Sequence, residues 1–226
     1  MTELQQLDNE LKDYINKQAS FISLASTNGL LKLLPPQFLE GFNANNEYGT
    51  TANLLVIPTG IDAGCEDALI TKACDYAFIT EPVHSNGLQT MPFYRDSMFC
   101  WVNINDPIAS HEYLTPQDFI NKSVGFLGDK SNQYNNIKTY IDQVQGPVNT
   151  IMCQDMIDVL EIAVKGDGLG IAVRNHIDAL NLKEAVCLPI KGLNWSFSLA
   201  YREDRDLLPS DDAFLSYISQ FKKFYV

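Results

Sequence analysis

From residue 20 onward, short apolar runs alternate with stretches whose apolar residues recur every three to four positions. The pattern predicts strands near 21–25, 53–57, 75–79, 97–103, 123–127, 148–152, 169–173, 185–190 and 196–202. Helices fit 27–41, 62–72, 131–144, 154–165 and 210–224. Such alternation builds parallel βαβ units covered by helices, an α/β fold. The helix over 131–144, starting after Ser131, puts Tyr134, Ile137, Ile141 and Val144 on one face. The last helix has Asp211 and Asp212 at its start and Lys222 and Lys223 near its end, which complements the helix dipole. Its apolar stripe is Phe214, Tyr217, Ile218, Phe221 and Phe224. Residues 2–18 read as a separate amphipathic helix, with Leu4, Leu7, Leu11 and Tyr14 at spacings of three and four. It fits either an ordinary surface helix or the end of a longer, dimer-forming one.

The junction at Phe21–Phe42 carries the first chemical signal. A β-rich run, Phe21–Ala25, meets Ser26-Thr27-Asn28, and an apolar helical pattern follows through Leu30, Leu31, Leu34, Phe38 and Phe42. Ser, Thr and Asn are helix N-cap residues because their side-chain oxygens accept otherwise unpaired backbone N–H groups. Hydroxyls and N–H groups are therefore expected at the carboxyl end of a strand, where open α/β sheets hold ligands.

Composition narrows the function. The chain has 226 residues, 46% hydrophobic and 19% charged, which supports a core and argues against disorder. With 28 acidic and 16 basic residues the net charge is −12, and only Lys222 and Lys223 are adjacent bases. Nucleic-acid binding by this chain alone is not expected. The five cysteines, Cys65, Cys74, Cys100, Cys153 and Cys187, lack CxxC spacing and read as buried, reduced thiols. A redox pair of Cys153 with Cys187 is disfavoured, since no basic neighbour would lower either pKa. His84, His111 and His176 lack metal spacing. Gly168-x-Gly170 precedes a strand and so fails the dinucleotide context. No catalytic motif occurs, and no metal or cofactor is expected. The start, MTELQQLDNEL, has no leader pattern, and no apolar run reaches the roughly 20 residues that span a bilayer. A cytoplasmic protein without membrane partners is expected.

Several segments, in order, resemble the effector-binding domain of LysR-type transcriptional regulators. Phe21–Phe42 resembles its opening strand, Ser/Thr turn and Leu-Leu-Pro helix. Cys74–Thr80, CDYAFIT, is similar to the family's Asp-hydrophobic-Ala-Ile strand. Thr115–Asn121, TPQDFIN, resembles the helix opening the second subdomain, and Ala163–Val173, AVKGDGLGIAV, its glycine-rich helix-to-strand turn. That turn is one residue longer here than the family's pattern. The resemblance covers about residues 20–226.

The resemblance implies a type 2 periplasmic-binding-protein-like α/β fold. Two Rossmann-like lobes are joined by two crossover strands and preceded by a linker-type helix. Residues 1–19 would end the linker helix, 20–98 with 196–226 would form lobe I, and 99–195 lobe II. The crossovers would be Met98–Asn103 and Trp195–Tyr201, each holding one of the two tryptophans. A small effector would bind between the lobes. From lobe I it would meet Ser26, Thr27, Asn28 and Thr80; from lobe II, Phe126, Gly128, Gln154 and Arg174. Each lobe I residue reads equally as a plain cap or turn residue. Arg174 stands where the family has Leu-Pro; it could pair with an anion or be a solvated strand-end arginine. A homodimer is implied, through Leu30–Phe42 and Gln154–Lys165, with Leu31, Leu33, Val159 and Ile162 as surplus apolar residues. DNA would be bound only through an N-terminal winged helix-turn-helix without counterpart in this chain. The alternatives are a transporter's solute-binding protein and a small enzyme on the same fold.

Overall fold

The computed structural model describes residues 21–36, 38–44, 53–128, 132–173 and 183–224. The expected helix over 2–18, Ser131, Arg174 and His176 lie outside the described residues. Along the chain the elements are β1 (Phe21–Thr27), α1 (Asn28–Leu31), α2 (Phe38–Ala44), β2 (Asn53–Thr59), α3 (Asp62–Ile70), β3 (Tyr76–Thr80) and β4 (Leu88–Asn103). There follow β5 (Ser123–Leu127), α4 (Tyr134–Asp142), β6 (Asn149–Cys153), α5 (Met156–Val164), β7 (Leu169–Ala172), β8 (Ala185–Arg202), α6 (Pro209–Ser219) and β9 (Lys223–Phe224). Two compact units result. One takes the described residues up to Ile79, His84–Phe93 and Leu199–Lys222; the other takes Thr80–Val83, Tyr94–Ser198 and the described residues from Lys223.

In the first unit the strand order is β2-β1-β3, then the β8 and β4 segments. β1 runs parallel to β2 and β3, with Leu24 opposite Val56 on one side and Tyr76 on the other. Every residue of β3 is buried, as in a strand covered on both faces. The helix expected over 27–41 is two pieces. Pro35-Pro36 supplies no N–H groups and disfavours helix in the residue before it, so α1 ends after one turn and α2 starts at Phe38. Phe38 and Phe42 then pack on Phe214, Tyr217 and Phe221, and the Tyr217 hydroxyl donates to the Phe38 carbonyl at 2.7 Å. The last helix ends at Ser219, not 224. Lys223–Phe224 forms β9 instead, pairing with Tyr94 and Arg95, and Phe224 is exposed.

α3 ends with its chain turned left-handed at Lys72, φ 61°. The Lys72 N–H donates to the Leu69 carbonyl and the Ala73 N–H to the Ala68 carbonyl, the helix-ending pattern in which glycine is the favoured residue. Lys72 also makes an exposed ion pair with Asp204, of small worth. Lys72→Gly should therefore raise stability by about 0.5–1 kcal/mol in urea denaturation, since a left-handed residue with a Cβ is strained there. A loss in stability would mean that the ion pair outweighs the strain.

In the second unit the order is β8-β4-β7-β5-β6. β5 is parallel to β6 and β7, and β7 is antiparallel to β4, so β4 runs against the parallel β7-β5-β6 set. α4 buries Ile137, Tyr140 and Ile141. α5 is capped by Asp155, whose carboxylate accepts from the Ile157 and Asp158 N–H groups, and it buries Val159, Leu160 and Ala163 against Trp101, Cys153 and Ala172. Val159, expected to be surplus at a dimer face, is fully buried; the exposed apolar residue of this helix is Ile157. The strands expected at 185–190 and 196–202 are one strand, β8, and the strand expected at 97–103 starts at Leu88. Pro189 and Gly192 do not break β8. The Pro189 carbonyl accepts from the Leu114 N–H at 2.8 Å while the Lys191 N–H donates to the Leu114 carbonyl, so pairing on that edge needs no N–H from Pro189.

Candidate functional site

In the first unit the carboxyl ends of β1 and β2 lie side by side, with Ser26 opposite Pro58 and Thr27 opposite Thr59. Parallel strands bring these ends to one edge of the sheet. Ser26 is fully buried and its Oγ donates to the Thr27 carbonyl at 3.1 Å. Thr27 is the N-cap of α1, yet its side chain makes no capping bond. Its half-buried hydroxyl is thus not spent on the helix. Asn28 is the first residue of α1.

The sequence pattern alone does not single out Thr59 and Cys65. Thr59 Oγ1 lies 2.8 Å from Cys65 Sγ and reaches the Ile61 carbonyl at 3.3 Å. Burial pushes the Cys65 thiol up to about 11, against the pull of its bonds to Thr59 and the Thr27 backbone, so the group stays a protonated thiol. It links both strand ends to α3. A signal is present: Thr59-Gly60 ahead of α3 repeats the strand–hydroxyl–helix pattern seen after β1. Asp62 sits buried in the first turn of α3 and offsets the positive end of that helix. Glu66, also buried, accepts the His84 and Ser85 N–H groups at 3.2 and 2.7 Å.

In the second unit Thr80 is buried, and its carbonyl accepts from Asn132 Nδ2 at 2.9 Å. Phe126 is in the core, its ring 6.0 Å from that of Tyr134. Gly128 follows β5 and its N–H donates to the Cys153 carbonyl at 3.2 Å, which sets it beside the end of β6. Gln154 comes next in the chain, exposed, with its N–H on Asp158; the helix cap is Asp155, one residue later. Gly128 and Gln154 thus share one strand edge, whereas Phe126 faces the packed interior. The Glu81–Pro82 bond is cis.

The two tryptophans are both buried. Trp101 belongs to the α5 core; Trp195 packs on Tyr94 and Phe197, and its Nε1 has no acceptor among the described residues. Burial holds the Cys100 thiol well above its usual range and pushes Cys187 up to about 12. Among the described residues no group of three or more His, Cys, Asp or Glu is set to hold a metal ion, and no helix is long and apolar enough to cross a membrane.

Hydroxyl-bearing strand ends on a mixed α/β framework of this topology define a domain of the type 2 periplasmic-binding-protein-like class. Solved structures share the fold. A full-length OxyR variant from Pseudomonas aeruginosa has 12% identity, coverage of 97% of this chain and 75% of its own, and a TM-score of 0.72. The effector binding domain of QuiR in complex with shikimate has 14% identity, coverage of 89% and 96%, and a TM-score of 0.73. The effector binding domain of a BenM variant has 13% identity, coverage of 89% and 94%, and a TM-score of 0.74. No curated protein matches the chain in sequence. The LysR substrate binding domain family matches residues 55–222, and the chain belongs to that family.

Proposed function

We propose that this chain is the sensing and dimerisation domain of a LysR-type transcriptional regulator. It takes a small polar effector against the carboxyl end of β1 and controls DNA binding by a helix-turn-helix domain. The observation carrying this reading is the family match over residues 55–222, joined to a Thr27 hydroxyl that does not cap its own helix. In the first unit Ser26 would order the Thr27 carbonyl and Thr27 would donate to the effector; in the second unit Thr80 and Gln154 are the candidate donors, beside Gly128. As such a regulator the protein would work in the cytoplasm, as a homodimer, without catalysis. The effector would be a small carboxylate. Because Asp62 offsets the α3 terminus, its charge would be met by hydroxyl and amide donors and by Arg174, not by that helix end.

Thr27→Leu tests the reading, since it replaces a donor by an apolar side chain at a half-buried cap position. Wild type should show thermal stabilisation with at least one member of a panel of small hydroxylated carboxylates, and less with the neutral methyl ester. The variant should melt within a few degrees of wild type and show no ligand response. A retained response would move the site away from β1.

A further inference from the structure

The four residues after Ile79 have an unusual set of partners. Thr80–Val83 belong to the second unit although Tyr76–Ile79 of the same strand belong to the first. What holds them there is named by four bonds. Asn132, nine-tenths buried just ahead of α4, donates Nδ2 to the Thr80 carbonyl at 2.9 Å and to the Pro82 carbonyl at 3.2 Å. Between them, the Glu81 N–H donates to the Ser196 carbonyl at 2.9 Å, and the Ser198 hydroxyl donates to the Glu81 carboxylate. A side-chain amide has two N–H donors, and Asn132 spends them on two backbone carbonyls of one short segment. No other side chain of this size supplies that pattern. Aspartate has the same shape but would set acceptors against acceptors.

We propose that Asn132 is a positioning residue for the effector site: it sets the backbone of Thr80–Val83 and so the placement of Thr80. This rests on the reading of the chain as a ligand sensor, of which Thr80 is one contact. Ser198 is the secondary support, because it holds the Glu81 side chain and not the backbone.

Hydrogen exchange and ligand binding on the full chain test this together. In Asn132→Asp the Glu81 amide should exchange at least tenfold faster, while the Val159 amide inside α5 keeps its wild-type rate. Ser198→Ala should speed Glu81 exchange only two- to threefold. The dissociation constant of the carboxylate giving the largest wild-type thermal shift should rise about tenfold in Asn132→Asp, with unchanged stoichiometry. Unchanged Glu81 exchange, or an equal rise at Val159, would overturn the proposal, as would a larger effect from Ser198→Ala. Faster Glu81 exchange with unchanged affinity would also overturn it, by detaching the segment from the site. If wild type responds to no carboxylate in the panel, the sensor reading fails, and the exchange data alone decide whether Asn132 sets this backbone.

Discussion

Asp211→Ala should remove about 3–5 kcal/mol of stability, the range for breaking one partner out of a buried charge network. Asp211 is fully buried at the front of α6. One carboxylate oxygen accepts from Arg205 Nη2 at 2.7 Å and from the Tyr76 hydroxyl at 2.8 Å; the other accepts the Leu208 N–H at 2.8 Å. Arg205 in turn pairs with Asp75 and lies over the Tyr76 ring. Burial, with Asp211 beside it, pushes the Tyr76 phenol up, so it remains a donor. The substitution would strand a guanidinium whose Nε already has no acceptor among the described residues, together with a buried phenol and a backbone N–H. For a chain of this size the melting temperature should fall by on the order of 10 °C. Calorimetry would check this. A loss under about 1 kcal/mol would show that Asp75 alone satisfies the arginine.

Gly170→Ala should cost about 3 kcal/mol or leave the chain unable to fold. A Cβ there would sit 2.5 Å from the Val159 carbonyl oxygen and 3.0 Å from Val159 Cγ1. β7 cannot retreat, because Gly170 is paired with Trp101 of β4 on one side and Gly125 of β5 on the other. The α5 backbone would have to lift away from Trp101 and Ala172 instead, opening the core. Gly168→Ala meets a similar obstacle in the Ser123 carbonyl. Gly60→Ala is the control: nothing lies within 4 Å of its Cβ position, and stability should change by less than about 1 kcal/mol. Urea denaturation of the three variants separates these cases. Near-wild-type stability in Gly170→Ala would mean that α5 is not seated on β7 as described.

The glycine-rich turn shows how far pattern reading reaches. Gly166 belongs to the helix-to-strand turn that the motif marks, and the structure gives it the left-handed φ of 77° that ends α5. Its N–H donates to the Ala163 carbonyl and that of Asp167 to the Ile162 carbonyl, while the Asn103 side chain donates to the Ala163 and Val164 carbonyls. Gly168 and Gly170 fall in the same motif, but their reason is different. They have no special φ; they permit close approach of other backbone, the Ser123 carbonyl at Gly168 and the Val159 carbonyl at Gly170.

Local chemistry is sufficient wherever one segment decides its own shape. Alternating apolar periods define the β-α-β order, and the Asp75-Tyr-Ala-Phe-Ile run marks a strand. The Ser-Thr-Asn cluster marks a strand end at β1. What the sequence could not decide are features whose partners lie far along the chain. Pro189 and Gly192 look like breakers until Leu114 pairs beside them. Phe224 looks like helix stripe until Arg95 offers a strand edge. Val159 looks like surplus apolar surface until Gly170 and Trp101 enclose it. Thr59 and Cys65 join the β1 end only through the parallel register, and Asn132 finds Thr80 across 52 residues. A propensity is a property of neighbours in sequence, worth tenths of a kcal/mol per residue. Burial and buried hydrogen bonds are worth more and belong to neighbours in space, so tertiary packing overrides the local preference wherever the two disagree.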